Sequence, residues 1–496
     1  MRPGTENSLS GWLALAAPLG LYLATLSPGV DFWDIGEMQT VPYLLGIAHP
    51  TGFPLAILGG WVFTHVVSIG EPAWRMSLLC ALATSLAVRA LYAFVRDVTG
   101  DARAALASAL AFAVGDVVWQ HAVRAEVHDL ALAALAVALA TAARAARTRD
   151  ARTLAWAALA YGCGLAIHPI VALALPCAVV FAWPALAAAN VPGRLRAIGC
   201  ALGPLLLYAY VPLRSVFVES HGGDPGAELG LRGSAIFDNG APSTPEAFVR
   251  YVTGDAFSPL GAFARAASPQ GLARTATFAR DIAYRNDGDV LLALALVGCI
   301  VLVVKFPRLG IGLTTVPLVT LAFGANYPPE SDLARYALPA LWAIGAWAGI
   351  GAWWLATAIV GGGPARRTFA STAAALALGI ALVPTIVPAA RDVGRSVRAD
   401  DARSLGVAVA QLTANGSLVV ASWNYATPLA YDLYVAHTLG TRRLACGWPY
   451  DFAGHYGAWH ARYRHVYFVL ARAYDVTPFA RPIFSDGPWQ LSELRS

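Results

Sequence analysis

Two carboxylates near the N-terminus have the type and spacing that acid–base chemistry requires. Asp34 and Glu37 are three residues apart, so they would share one face of a helix, and Asp31 lies about one turn upstream. Such a carboxylate can act as a general base that takes the proton from an attacking hydroxyl group. The alternative is structural, because Asp34 could cap a short helix whose first turn Glu37 supports. The spacing alone leaves both interpretations open.

Further charged side chains of a binding type follow along the chain. Glu126 and His128 could ligate a metal ion, but two ligands without a matched third make a weak site. Pairing of Glu126 with an arginine is the alternative. Three arginines at the edges of apolar runs could bind a phosphate through their planar guanidinium groups, or could extend to the membrane interface instead. They are Arg75, Arg214 and Arg335.

The composition indicates that membrane-spanning helices position these residues. The 496 residues are 57% hydrophobic and 13% charged, whereas charged residues make up about a quarter of a soluble domain. Apolar runs of roughly 17–25 residues, long enough to cross a hydrocarbon core of about 30 Å, recur as far as residue 390. The net charge of +5 is small and gives no reason to expect a nucleic-acid partner.

The basic residues between the apolar runs predict the topology. Short arginine-containing connectors belong in the cytoplasm. They all face inward if residues 55–69, which follow HPTGFP, form an interfacial or re-entrant helix instead of a span. About eleven spans remain, with a cytoplasmic N-terminus, a retained first helix and an extracytoplasmic tail. The outer loops are then residues 27–73, 119–126, 214–288 and 326–334, so the candidate residues lie at or beside one membrane surface.

Residues 391–496 have the composition of a soluble domain. Helix-like segments alternate there with the strand-like runs SLVVASW, RRLACGW and HVYFVLA. This αβαβαβ order predicts a small α/β domain with a mainly parallel sheet. Five of the six cysteines lie in apolar runs of the membrane part, so neither a disulfide framework nor a CxxC metal pair is expected.

The sequence offers no motif that would bind a nucleotide. No P-loop, glycine-rich nucleotide fingerprint, HExxH or nucleophile elbow occurs in a suitable context. The GGG at 361–363 is predicted to be a cytoplasmic turn. If the chain is an enzyme, we expect its activated substrate to arrive through the membrane.

The outer-face motifs, taken in order, resemble those of the GT-C superfamily of polyprenyl-phosphate-sugar glycosyltransferases. More narrowly, they resemble the family that includes the animal transmembrane O-mannosyltransferase of plexin-type receptor domains. The corresponding segments are DIGE at 34–37, AHPTGFPL at 48–55, Arg75, AEVH at 125–128, PLRS at 212–215, FDNGAPSTPEAF at 237–248, and Asp332 through Tyr336 to Pro339. The residues His128, Thr51 and Phe53 depart from the family's usual pattern.

This resemblance implies an all-α GT-C-like bundle at 1–390 and transfer of a sugar, mannose or a related hexose, from polyprenyl phosphate with inversion. The acceptor would be protein Ser/Thr or an envelope glycan on the extracytoplasmic face of the cell (inner) membrane. Asp34 or Glu37 would be the base. Substrate would contact Asp31, His49, Arg75, Glu126, His128, Arg214, Asn239, Asp332 and Arg335. No metal ligand is predicted, and a divalent cation stays open because only some GT-C enzymes need one.

Two other classes of function are compatible with a polytopic chain. A transporter or flippase for a lipid-linked or envelope precursor would also bury charges, but preferably on both sides of the midplane and in inverted repeats. The charges here are one-sided, and the sequence contains no evident repeat. A non-catalytic assembly or sensor protein would instead use the tail to bind envelope components.

Overall fold

The computed structural model describes residues 3–233, 235–328, 332–361, 363–398, 401–447 and 454–495. The first eleven helices are α1 (Pro3–Ala24), α2 (Trp33–Leu44), α3 (Pro54–Val66), α4 (Pro72–Thr99), α5 (Ala102–Ala113), α6 (Asp116–Ala122), α7 (Val127–Thr148), α8 (Ala151–Ile167), α9 (Leu175–Ala188), α10 (Val191–Leu202) and α11 (Tyr210–Ser220). They are followed by α12 (Pro245–Val252), α13 (Pro259–Ala266), α14 (Pro269–Lys305), α15 (Pro307–Asn326), α16 (Leu338–Val360), α17 (Pro364–Ala381), α18 (Val383–Arg398), α19 (Asp401–Leu412), α20 (Trp423–Tyr434) and α21 (Tyr456–Arg462).

Seven stretches among the described residues are long and apolar enough to cross a membrane. They are Pro72–Thr99, Val127–Thr148, Pro169–Ala188, Val191–Ser220, Pro269–Lys305, Pro307–Asn326 and Leu333–Val360. Two bent helix pairs also qualify, Ala102–Ala113 with Asp116–Ala122 and Arg366–Ala381 with Val383–Leu412, and three apolar helices are shorter. The predicted polytopic, mainly helical architecture is confirmed. The count of about eleven spans and their orientation stay predictions.

Helix α3 contains the segment that charge counting removed from the spans. Its 13 residues extend for only about 20 Å at 1.5 Å per residue, which is too short for a bilayer core. The preceding turn depends on Gly52, whose φ is +87° and whose Cβ position would lie 2.9 Å from the Tyr251 ring. Only glycine fits this position without strain, so the HPTGFP turn fixes both the start of α3 and the place of His49 before it.

The bundle is held together where helix backbones touch. A Cβ at Gly298 of α14 would lie 1.8 Å from the carbonyl oxygen of Trp347, and one at Gly351 of α16 would lie 1.9 Å from that of Leu294. Small residues at such crossings allow membrane helices to pack closely. Because the 3₁₀ turn Leu333–Ala337 leads directly into α16, this packing also fixes the position of Arg335.

The C-terminal domain contains the predicted parallel strands and two more that were not predicted. Strands β1 (Leu418–Ala421), β2 (Arg443–Cys446), β3 (Val466–Ala471), β4 (Ala480–Asp486) and β5 (Trp489–Leu494) form one sheet in the order β2-β1-β3-β5-β4. Strand β1 is parallel to β2 and β3, whereas β5 is antiparallel to β3 and β4. The three-strand prediction was therefore incomplete. Asp486-Gly487, a common hairpin turn pair, was the available signal.

The C-terminal domain packs directly on the first predicted outer loop. The Thr427 hydroxyl on α20 donates a hydrogen bond to the Trp33 carbonyl oxygen at 2.8 Å. A Cβ at Gly36 of α2 would lie 2.9 Å from the Thr427 hydroxyl oxygen, so glycine allows the two helices to approach. Helix α18 runs across residue 390, the predicted domain boundary, and residues 329–331 of the predicted loop 326–334 lie outside the described residues.

Candidate active site

Asp34 lies in the first turn of α2, but it does not cap that helix. The residue at the N-cap is Phe32, which makes no side-chain capping hydrogen bond. The Asp34 carboxylate instead accepts a hydrogen bond at Oδ2 from Arg335 Nη1 at 2.8 Å and one at Oδ1 from Trp423 Nε1 at 3.0 Å. Its role is therefore not the local helix-capping one that the spacing had left open.

The surroundings of Asp34 stabilise its ionised form. Burial by itself would raise the pKa of Asp34, but the positive charges of His49 and Arg335 and the hydrogen bonds from Trp423 and Arg335 outweigh it and lower this pKa to about 2. The carboxylate still lines a cavity, with 21% of its side-chain surface exposed. Asp34 is thus a charged, accessible acceptor for a proton.

Glu37 faces away from that cavity and forms a buried pair with His49. Its side chain is 0% exposed; Oε1 accepts from the His49 backbone N–H at 2.7 Å and Oε2 bonds the imidazole Nδ1. Burial lowers the pKa of His49, but the carboxylates of Glu37 and Asp34 overcome this and raise it to about 9. The His49 side chain is thus an imidazolium between two carboxylates, and Glu37 bonds it on the side away from the cavity.

A second ion-pair network lies opposite Asp34. Arg124 Nη2 donates to the carboxylate of Asp332, and His121 Nε2 lies 3.4 Å from the same carboxylate. His121 Nδ1 lies 2.7 Å from the Val117 carbonyl oxygen, which fixes the ring. Although burial raises the pKa of Asp332, the charges of His121 and Arg124 hold it well below its usual range. Glu126 completes the group and contacts His128 Nδ1 at 3.4 Å.

Asp34, His49, Glu126, Asp332 and Arg335 line one polar cavity of about 660 Å³. A second cavity of about 170 Å³ is more apolar and is walled by side chains such as Leu173, Leu260, Phe263 and Phe323. The two cavities share six lining residues, which are Asp34, His49, Pro50, Glu126, Phe257 and Arg335. The two cavities are therefore adjacent, and the Asp34–Arg335 pair belongs to the wall that they share.

The structure brings most of the predicted site residues together. The ones that line these cavities are Asp34, His49, Glu126, His128, Asn239, Asp332 and Arg335. Asp31 lies outside them and accepts a hydrogen bond from the Phe32 N–H at 2.8 Å. Arg75 donates to the carbonyl oxygens of Thr64 and Gly70 instead, at 2.6 and 2.8 Å from Nη1 and Nη2. Arg214 lies over the Phe217 ring at 5.2 Å and lines neither cavity.

The predicted site lacked Arg124 and four further residues that the structure adds. Arg285 and Gln120 line the polar cavity, His121 joins the Arg124 network, and Trp423 reaches Asp34 from the C-terminal domain. The sequence carried a signal for His121, which precedes Arg124 in the predicted outer loop WQHAVRAEVHD. Arg285 and Trp423 come from distant segments without a local motif, and only tertiary packing identifies them.

Among the residues that the structure describes, two groups of three have metal-ligand atoms within 4.8 Å of one another. They are Asp34, Glu37 and His49, and His121, Glu126 and Asp332. In the first group each carboxylate already bonds a cation, Arg335 or His49; in the second, Asp332 already pairs with Arg124 and His121. The guanidinium groups supply positive charge where a divalent ion would lie. These residues do not fit a metal ion in this arrangement, and no step below depends on one.

Comparison with known proteins agrees with the motifs. Residues 34–186 match the family model described as the Protein O-mannosyl-transferase TMEM260 N-terminal domain. The chain is 30% identical over 175 residues to Protein O-mannosyl-transferase TMEM260 of Mus musculus, and 29% identical over 112 residues to Protein O-mannosyl-transferase tmem260 of Dictyostelium discoideum. These matches cover 34% and 22% of this chain but only 25% and 14% of the two relatives. The predicted resemblance is confirmed.

The fold as a whole matches solved structures. ArnT from Cupriavidus metallidurans in the apo state superposes with a TM-score of 0.53 at 12% identity, covering 98% of each chain. The same protein bound to undecaprenyl phosphate gives a TM-score of 0.51 at 13% identity, again over 98% of each chain. At such low identity the match shows the fold alone, and it confirms the predicted GT-C-like architecture with a small C-terminal domain.

Proposed function

We propose that this chain is a membrane glycosyltransferase that moves a sugar from a polyprenyl-phosphate donor to a hydroxyl acceptor. The observation that carries the proposal is the meeting of the polar and the apolar cavity at the Asp34–Arg335 pair. A lipid-linked sugar has the same two-part character, since its headgroup is polar and its chain is apolar. The junction between the parts is a phosphate, for which an arginine is the natural partner.

Arg335 is the residue best placed for the donor phosphate. Its guanidinium donates to Asp34 and lines both cavities, so a phosphate bound there would have its sugar in the polar space and its polyprenyl chain among the aromatic and aliphatic side chains. Arg124 and Arg285, which line the polar cavity, add positive charge for the negative charge that develops on the leaving phosphate.

Asp34 is the proposed general base. It would accept the proton of the acceptor hydroxyl while that oxygen forms a bond to the anomeric carbon, and the bond from that carbon to the phosphate oxygen breaks in the same displacement. Polyprenyl phosphate leaves and the anomeric configuration inverts. A phosphate bound at Arg335 would share the guanidinium with Asp34 and thereby make this carboxylate more basic when the donor is in place.

Mannose is the proposed sugar and a protein Ser/Thr the proposed acceptor, because the family model that matches residues 34–186 and the two similar relatives are all described as protein O-mannosyl-transferases. An envelope glycan is the alternative acceptor. The extracytoplasmic face of the cell membrane is proposed from the distribution of basic connectors in the sequence.

The test uses the full-length protein purified in detergent or nanodiscs. It is incubated with polyprenyl-phosphate mannose, glucose and 4-amino-arabinose, and the release of free polyprenyl phosphate is measured with and without a Ser/Thr-rich peptide. The proposal predicts turnover of at least one donor, strongest for the mannose lipid and increased by the peptide. Binding of these lipids without any turnover, in the presence of peptide or glycan acceptors, would contradict it.

A further inference from the structure

We propose that Trp423 is a positioning residue for Asp34, so that the C-terminal domain is part of the catalytic unit and not a separate binding module. This inference rests on the proposed function of Asp34 as the base. It goes beyond that function because it assigns a positioning role to Trp423 and a part in catalysis to the C-terminal domain. Neither follows from the membrane bundle alone.

The first observation is the way in which the carboxylate is held. Arg335 from the bundle bonds Asp34 Oδ2 at 2.8 Å, and the indole Nε1 of Trp423 bonds Oδ1 at 3.0 Å. The two hydrogen-bond donors therefore bond both carboxylate oxygens of Asp34 and come from different domains. When the phosphate of the lipid-linked sugar binds Arg335, the indole N–H of Trp423 is the contact that would still hold the Asp34 carboxylate in its orientation.

The second observation is that α20 is anchored to the two residues that directly precede Asp34. The Tyr425 ring packs edge-on against Phe32 at 5.7 Å, and the Thr427 hydroxyl bonds the Trp33 carbonyl oxygen at 2.8 Å. Both side chains are mostly buried. A functional group is held within a few tenths of an ångström only when its supporting residues are themselves fixed, and these contacts fix the start of α20.

The third observation is the position of Trp423 in the domain. It follows strand β1, which ends at Ala421 between two parallel neighbours, β2 and β3. In α/β sheets, ligand-binding residues follow the carboxyl ends of parallel strands. The Trp423 indole lines the polar cavity and stands perpendicular to the His49 ring, with centroids 6.1 Å apart. This edge of the sheet thus forms one wall of the cavity.

The test compares Trp423→Phe with Trp459→Phe in the full-length protein. Both changes remove one indole N–H in the same domain, but Trp459 Nε1 donates to the Leu229 carbonyl oxygen at 3.0 Å, away from the cavity. For Trp423→Phe we expect kcat to fall about ten- to a hundredfold, the range for a hydrogen bond to a charged group, with KM for the donor nearly unchanged. Trp459→Phe should keep the wild-type kcat.

A pH profile separates positioning from a general loss of structure. Removing a hydrogen-bond donor to the carboxylate raises its pKa, so the acidic limb of kcat/KM should move to higher pH in Trp423→Phe and stay in place in Trp459→Phe. Thr427→Val, which loosens α20 from Trp33 without touching Asp34, should shift kcat and this limb in the same direction by less. Thr427→Val serves as the test variant if Trp423→Phe does not fold.

One arm of the test does not need turnover. Asp34 is modified with a water-soluble carbodiimide over a range of pH, and the labelled peptide is measured by mass spectrometry. The labelling midpoint should lie at higher pH in Trp423→Phe than in the wild type and Trp459→Phe. Equal midpoints, or an unchanged kcat in Trp423→Phe, overturn the inference. If the wild type turns over no donor but the labelling midpoint is still higher in Trp423→Phe, only the proposed transferase function is overturned.

Discussion

Asp34 and Arg335 lie 301 residues apart in the chain, and the Arg335 guanidinium donates to the Asp34 carboxylate at 2.8 Å in the wall shared by the polar and the apolar cavity. The pair joins the first turn of α2 to the 3₁₀ turn that leads into α16. In the proposed reaction these two residues face the two substrates, because Asp34 meets the acceptor hydroxyl and Arg335 meets the donor phosphate.

Replacing Arg335 should weaken use of the donor far more than replacing another outer-face arginine. For Arg335→Gln we expect kcat/KM for the lipid donor to fall by about a hundredfold, because a charge-assisted bond to phosphate is lost. Arg75→Gln is the matched control, since Arg75 donates to loop carbonyl oxygens and lines neither cavity. Equal losses in both variants, measured as initial rates over a donor titration, would remove Arg335 from the phosphate site.

The apolar cavity should set a dependence on the length of the lipid. Leu173→Trp adds a large ring to its wall, so we expect KM to rise severalfold for a long polyprenyl donor and to change little for a short-chain analogue. Leu206→Trp is the control, because Leu206 is 78% exposed and lines neither cavity. If Leu173→Trp changes KM by the same factor for the long and the short donor, the lipid chain does not lie in this cavity.

The Glu37–His49 pair should make stability depend on pH above neutrality. The pKa of His49 is raised to about 9 from 6.5, so the stabilisation is fully present below about pH 6.5 and is lost as the pH rises through about 9. The upper limit is about 3 kcal/mol for such a shift. Thermal unfolding in detergent should show Tm falling over this range in the wild type and less steeply in His49→Gln, while His460→Gln, at an exposed site, should follow the wild type. Parallel curves for the wild type and His49→Gln would refute this assignment.

The sequence predicts much of this architecture because bilayer length and charge placement are strong local signals. The apolar runs, the short helix α3 after HPTGFP and the convergence of Asp34, Glu126 and Asp332 on one region follow from hydropathy and arginine positions. The strands around 418–421, 443–446 and 466–471 follow from short apolar runs. Each of these features depends on residues close together in the chain.

Other features depend on packing between distant segments, which no local pattern reveals. The ranking of Asp34 above Glu37 requires knowing that the Glu37 side chain is turned toward His49 and is 0% exposed. The bonds from Trp423 and Arg335 to Asp34 span 389 and 301 residues. Arg75, which looked equivalent to Arg335 in the sequence, is bound instead to backbone carbonyls at the end of α3.

The most direct test of the account is the initial rate of sugar transfer in Asp34→Asn and Glu37→Gln, measured at saturating donor on protein whose folding has been checked by thermal unfolding. The account predicts that Asp34→Asn lowers kcat by about a thousandfold, as expected for loss of a general base. Glu37→Gln should mainly lower Tm and keep kcat within about tenfold of the wild type, since its carboxylate supports His49 and makes no contact with the cavity. A folded Asp34→Asn protein that transfers sugar at the wild-type rate would contradict it.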